Sequence, residues 1–108
     1  MCGAFLGAAA CRIPVIVDGV ISATAALCAK RLCPAAENAM LASHVSSEPL
    51  GRRLLEELGL KAPLEAGMHL GEGSGALMLM PLLQMVLDVY TSGQSFDRLG
   101  IEAYRPLA

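Results

Sequence analysis

Ile13-Pro14-Val15-Ile16-Val17-Asp18-Gly19 is the stretch that decides the fold. Its β-branched run has no polar alternation, which is the pattern of a strand buried on both faces in a parallel sheet. Pro14 has no N–H to give to a ladder and fits only near the strand's beginning. Asp18-Gly19 ends the run. On its N-terminal side, Cys2 to Cys11 is small and apolar and reads as a closely packed helix despite Gly3 and Gly7. On its C-terminal side, Val20 to Leu32 has helical composition. Lys30 and Arg31 fall in the last turn, where cations suit the helix dipole, and Pro34 follows. Helix, strand and helix in that order give an α/β layer architecture.

Further along, Glu37-Asn38 is a polar break, and Ala39 to Val45 is a second short apolar run read as a strand. Ser46-Ser47-Glu48-Pro49 then offers an N-cap hydroxyl, an acid and an early proline, the signals of a helix start. That helix carries Leu50, Leu54, Leu55 and Leu58 on one side and stops at Gly59. A linker through Pro63 and Gly67 leads to Leu70-Gly71-Glu72-Gly73-Ser74-Gly75. Ala76 to Tyr90 reads as the longest and most apolar helix, bent at Pro81. Ser92-Gly93 breaks it, and Ser95 caps a last turn around Phe96 to Leu99. No internal repeat and no domain-separating linker is present, so residues 1–108 read as one segment.

The composition belongs to an interior. Of 108 residues, 55% are hydrophobic and 17% charged, against a usual charged share of roughly 25%. A small domain buries only part of its surface and needs polar residues to cover the rest. The chain therefore reads as a piece of something larger or as an obligate oligomer. Intrinsic disorder is excluded by this apolar content. With 8 Lys+Arg against 10 Asp+Glu, there is no basic excess to neutralise phosphates, which excludes electrostatically driven nucleic-acid binding.

Cys2, Cys11, Cys28 and Cys33 form no CxxC pair, and His44 and His69 lie elsewhere, which argues against zinc. In Ala- and Leu-rich surroundings, a buried, reduced thiol acting as a small apolar side chain is the favoured reading, and it implies a cytosolic compartment. Met1 to Ala10 lacks the positive n-region of a signal peptide. The apolar stretch Ala76 to Leu87 is interrupted by Pro81 and Gln84. It falls short of the roughly 20 residues a membrane span needs.

Three loops could carry chemistry. Asp18-Gly19 sits where a strand ends and a helix begins, the place where ligands bind in parallel α/β sheets; the competing reading is a turn aspartate capping the helix from Val20. Ser46 and Ser47 end the next strand and open a helix, offering hydroxyls, free N–H groups and the positive dipole end to an anion such as phosphate. The plainer reading is a serine N-cap, with His44 structural. In Leu70 to Gly75, alternating glycines remove the side chains on either side of Glu72 and let backbone approach a ligand. The spacing is neither the dinucleotide fingerprint nor a P-loop. A carboxylate so placed suits a general base or an acceptor for a heterocyclic N–H, and a flexible turn capped by Glu72 and Ser74 fits equally.

Taken in order, Ile13 to Gly19, His44-Val45-Ser46-Ser47-Glu48-Pro49 and Met68-His69-Leu70-Gly71-Glu72-Gly73-Ser74-Gly75-Ala76 resemble one family. That family is the nicotinate-nucleotide:dimethylbenzimidazole phosphoribosyltransferases, which build the lower nucleotide loop of cobalamin. The resemblance runs over nearly the whole chain but covers only the C-terminal part of the family's length. It implies transfer of phosphoribose from nicotinate mononucleotide to 5,6-dimethylbenzimidazole, giving nicotinate and α-ribazole 5′-phosphate with inversion at the anomeric carbon. By the same resemblance Glu72 is the general base, Leu70 and Gly71 line the base pocket, and Gly73 is a further substrate-binding residue. Ser46 and Ser47 hold the nucleotide phosphate, and Asp18 lies near the bound nucleotide. The implied fold is a doubly wound, Rossmann-like parallel sheet flanked by helices, with the extreme C-terminus joining a small helical domain. The implied protein is a cytoplasmic homodimer that needs no metal or other cofactor.

The family's N-terminal part, with the rest of the benzimidazole pocket, a glycine-rich nucleotide loop and a lysine near the phosphate, has no counterpart here. Lys30 and Lys61 stand in no matching motif. The expectation is thus a segment that carries the base without a whole active site, paired with a second copy or with a complementing N-terminal fragment. The alternative is a non-catalytic ligand-binding or assembly module derived from the same family.

Overall fold

The computed structural model describes residues 1–102, 105 and 106. Helix α1 spans Cys2–Ala10, strand β1 Val15–Val17, helix α2 Val20–Leu32 and strand β2 Met40–Ala42. Helices α3 (Gly51–Leu58), α4 (Ser74–Thr91) and α5 (Phe96–Leu99) follow. β1 and β2 pair in parallel, with Val15 opposite Met40, Ile16 opposite Leu41 and Val17 opposite Ala42. A parallel pair needs a crossover, and α2 supplies it. His44 forms one further parallel bridge to Leu64, so the linker after Pro63 continues the sheet edge past β2.

The core forms around the small face of α2. Ala23, Ala26 and Ala29, at helical spacing, are buried together with Phe5, Val17, Ala36, Met40 and Leu58. Methyl-sized side chains at the contact let helices approach closely, so α1 and α3 both pack on α2. Lys30 fastens the last pair: its ammonium donates to the Leu58 carbonyl at 2.9 Å and pairs with Glu37 at 2.6 Å. Orphan carbonyls at the end of α3 are thereby satisfied.

Several expectations change. The polar break at Glu37-Asn38 lies within a 3-10 helix, Pro34–Ala39. In β1 only Val17 is fully buried; Val15 and Ile16 are half-buried in this chain. The thiols are free, but Cys11, Cys28 and Cys33 are exposed and only Cys2 is partly covered. Cys28 falls between the buried alanines of α2, on the other side of the helix. Leu50 lies outside α3 and is exposed, while Leu55 and Leu58 are buried.

The largest departure is α4. It runs through Pro81 to Thr91 and has 18 residues, long and apolar enough by length and composition to cross a membrane. The exclusion based on the shorter stretch to Leu87 therefore does not hold. Most of the helix is uncovered: Leu77, Met80, Met85, Val86, Leu87 and Val89 are all more than half exposed. The expected turn after it is present, with Ser95 Oγ accepting from the Arg98 N–H. The expected C-terminal helical domain falls partly on residues 103–104 and 107–108, outside the described residues.

Candidate functional site

The C-terminal end of β1 carries Asp18, and that of β2 carries Ser43 and His44, so the sheet delivers these three residues to one edge. Ser43 is completely buried. Its hydroxyl lies 2.8 Å from the Val17 carbonyl, 3.1 Å from the Asp18 carbonyl and 3.0 Å from His44 Nδ1. A hydroxyl has one proton, and a carbonyl can only accept. Ser43 therefore donates to the β1 end and accepts from the Nδ1–H of His44.

Asp18 does not cap α2. The α2 N-cap is Gly19, with no side-chain bond. The Asp18 carboxylate instead reaches the other glycine-rich loop: Oδ2 accepts from the Gly73 N–H at 3.2 Å and Oδ1 from the Ala76 N–H at 2.9 Å. These N–H groups belong to the first turn of α4, where a helix has no internal acceptors and where the dipole favours a negative charge. Gly75 makes the approach possible. A Cβ on it would stand 2.0 Å from His44 Nδ1 and 2.9 Å from Asp18 Oδ1.

Glu72 occupies a turn closed by a bond from the Ser74 N–H to the Gly71 carbonyl at 2.9 Å. Gly71, Glu72 and Gly73 all have positive φ, at 76°, 57° and 77°. Glycine adopts this region freely, whereas a residue with a Cβ pays about 1–2 kcal/mol for it. Charge-assisted hydrogen bonds are worth roughly 1.5–3 kcal/mol each, so the two bonds to Asp18 are sufficient to hold Glu72 there. The Glu72 side chain is exposed, and among the described residues its carboxylate accepts no hydrogen bond. It lines a cavity of about 380 Å³ whose wall includes Asp18, Ile21, His44, Ser46, His69 and Gly73. That volume lies within the roughly 300–1,000 Å³ typical of small-molecule sites.

Ser46 and Ser47 lie elsewhere than their sequence suggested. α3 begins only at Gly51, after a turn in which the Gly51 N–H bonds the Glu48 carbonyl, and its N-cap Leu50 makes no side-chain bond. Neither serine caps the helix. Ser46 Oγ accepts from the Glu48 N–H at 3.3 Å, and Ser47 Oγ donates to the Met68 carbonyl at 3.3 Å. Gly51, the first residue of α3, packs so tightly that a Cβ on it would fall 2.6 Å from the Ser46 carbonyl oxygen. Ser46 is buried and lines the Glu72 cavity. Ser47 lines a second, shallower cavity of about 550 Å³, alongside Arg52, Arg53 and Glu65. Arg52 is engaged by Glu65 in an ion pair.

Asp18, Ser46, Gly71, Glu72 and Gly73 are thus brought together around one cavity, and Ser47 stands beside it. Leu70 is not brought in: it is 79% exposed and faces a separate groove with Met68 and Ser74. Among the lining residues that sequence reasoning did not assign to the site are His69, Ile21 and Glu48, and Gly75, read there only as one of the loop's alternating glycines, packs against His44.

A family model described as a phosphoribosyltransferase matches residues 1–101, and the chain belongs to that family. Among its relatives is the nicotinate-nucleotide–dimethylbenzimidazole phosphoribosyltransferase of Acetivibrio thermocellus, 42% identical over 106 residues, which are 98% of this chain and 30% of that protein. The enzyme of the same name from Ruminiclostridium cellulolyticum is 44% identical over 105 residues, 97% of this chain and 30% of its own length. In solved structures, the chain resembles the phosphoribosyltransferase of that name from Thermus thermophilus. The TM-score is 0.86 at 32% identity, covering 95% of this chain and 31% of the other. The chain spans about 30% of the length of the curated relatives it matches.

Proposed function

We propose that this chain carries the general base of a nicotinate-nucleotide:dimethylbenzimidazole phosphoribosyltransferase and corresponds to the C-terminal part of its catalytic domain. The observation that carries the reading is the Glu72 carboxylate, free of hydrogen bonds among the described residues, held at positive φ on the rim of a cavity of about 380 Å³. In the reaction, one ring nitrogen of 5,6-dimethylbenzimidazole attacks the anomeric carbon of nicotinate mononucleotide. The bond from that carbon to the pyridinium nitrogen breaks, its electron pair leaves with nicotinate, and the configuration inverts. The proton on the other benzimidazole nitrogen passes to Glu72, which keeps the attacking nitrogen electron-rich.

Gly71 and Gly73 let the planar base come close to backbone, and His69 and Ile21 add wall to the same cavity. Ser46 and Ser47 lie on the phosphate side, where Arg53 lines the adjoining cavity. Leu70 reaches the base once a complementing fragment or a second copy of the chain covers its groove.

The same reading accounts for the uncovered helix. The relatives are about three times as long as this chain, and β1 and β2 belong to a larger doubly wound parallel sheet with helices on both faces. α4 joins a small helical domain, and its apolar face packs on the remainder of the enzyme, supplied by a complementing N-terminal fragment or a second copy of the chain. The compartment is the cytoplasm. A non-catalytic binding or assembly module is the competing function.

The test is product formation. Nicotinate mononucleotide and dimethylbenzimidazole are incubated with the chain alone and with the missing two-thirds, taken from the A. thermocellus relative. Nicotinate and α-configured ribazole 5′-phosphate are followed by chromatography and NMR. Product only from the combined polypeptides is expected. Ligand binding without product in either case would favour the binding module instead.

A further inference from the structure

Resting on the reading of Glu72 as the base, we propose that Asp18 is a positioning residue that acts through Glu72 rather than on the substrate. Its carboxylate is engaged at both oxygens: Oδ2 by the Gly73 N–H at 3.2 Å and Oδ1 by the Ala76 N–H at 2.9 Å. The Gly73 N–H belongs to the peptide group that joins Glu72 to Gly73. Fixing the plane of that peptide fixes ψ of Glu72, the torsion that decides where its side chain starts. The second bond pins the first turn of α4, so the loop is held on both sides of Ser74. Without this clamp Glu72 has every reason to leave the left-handed region, since its φ of 57° is unfavourable for a residue with a Cβ.

The clamp itself is anchored. The Asp18 carbonyl accepts from the buried Ser43 hydroxyl at 3.1 Å, and that hydroxyl also holds His44, whose ring packs on Gly75. β1, β2 and the start of α4 therefore converge on Asp18, through its carbonyl and its carboxylate, and the carboxylate reaches N–H groups 55 and 58 residues away in sequence. Both Asp18 carboxylate oxygens serve backbone N–H groups, whereas the carboxylates of Glu72 and Glu48, which line the same cavity, accept no hydrogen bond among the described residues.

The experiment is a double-mutant cycle in the nicotinate-release assay on the combined polypeptides, with Asp18→Asn, Glu72→Gln and both together. Misplacing a reacting group by about 1 Å costs on the order of 10²-fold, so Asp18→Asn is expected to lower kcat by about that factor. KM for nicotinate mononucleotide should stay near the unmodified value. The double variant should be no slower than Glu72→Gln alone, because the clamp has nothing left to aim. Losses that multiply, or a raised KM at unchanged kcat, would place Asp18 on the substrate and overturn the proposal.

A second readout needs no turnover. In the chain itself, amide hydrogen exchange followed by NMR should show Gly73 and Ala76 protected in the unmodified protein and in Glu72→Gln. Both should be unprotected in Asp18→Ala, and at least one of them in Asp18→Asn, which keeps a single acceptor oxygen, should the former not fold. If no turnover is found at all, the reading of the function fails while this measurement still decides the clamp. Protected Gly73 and Ala76 amides in a folded Asp18 variant would refute it.

Discussion

Replacing Gly75 with alanine should destabilise the chain, against the ordinary sign of that substitution. Within a helix, glycine to alanine normally gains about 1 kcal/mol. Gly75 sits in the first turn of α4 and is buried against His44. The added Cβ would fall 2.0 Å from His44 Nδ1 and 2.3 Å from Cε1, where carbon contacts prefer about 3.5–4.0 Å. The ring cannot retreat without breaking its 3.0 Å bond to Ser43, which is itself buried and tied to β1. The third neighbour, Asp18 Oδ1 at 2.9 Å, is held by the Ala76 N–H. Overpacking of this kind costs about 1–3 kcal/mol or more, and with loss of a buried hydrogen bond the net loss should be about 2 kcal/mol. At typical urea sensitivities, that moves the unfolding midpoint down by about 1 M. The measurement is urea denaturation followed by circular dichroism at one fixed protein concentration, since self-association adds to apparent stability. Adding His44→Ala to Gly75→Ala should recover part of the loss, because it removes the atoms that the methyl meets. A Gly75→Ala protein as stable as the unmodified chain would refute the packing described around His44.

Gly51→Ala should cost about 2 kcal/mol or more in the same denaturation experiment, because its methyl meets the Ser46 backbone rather than a movable side chain. Lys30→Met keeps the aliphatic stem but removes the donor to the Leu58 carbonyl and the partner of Glu37. A loss of about 1–2 kcal/mol is expected, seen as a lower urea midpoint. Val86→Lys with Val89→Lys, on the uncovered face of α4, should change stability by less than about 0.5 kcal/mol. The same pair should reduce self-association in sedimentation velocity and weaken capture of the complementing fragment. Unchanged association would show that the apolar face is not where the rest of the enzyme docks.

What could be read from the sequence was local. Val15 to Val17 and Val20 to Leu32 stand where the unbroken β-branched run and the cationic last turn put them, and Ser95 caps the turn it was expected to cap. The α/β class follows from that order of elements. Where reading failed, a contact distant in sequence outweighed a local signal. Asp18 stands beside an uncapped α2, yet its carboxylate answers N–H groups of α4 that only the folded chain brings near. Ser46 and Ser47 carry the composition of an N-cap, but the helix starts only at Gly51, which packs against the Ser46 carbonyl, a contact no local signal announces. The glycines around Glu72 were legible as a permissive loop. That Gly75 serves the His44 ring instead depends on where β2 ends. The composition of an interior has its counterpart in α4, whose apolar residues face outward in a chain that spans about 30% of its relatives' length.

The most direct test of Glu72 as the base is the turnover number of Glu72→Gln, measured by nicotinate release from the combined polypeptides at saturating concentrations of both substrates. The glutamine keeps the size of the side chain and cannot take the benzimidazole proton. A loss of kcat of about 10²–10⁴-fold, the usual worth of a general base, with KM for nicotinate mononucleotide little changed, is the expected result. A Glu72→Gln enzyme that releases nicotinate within a few-fold of the unmodified rate would contradict the account.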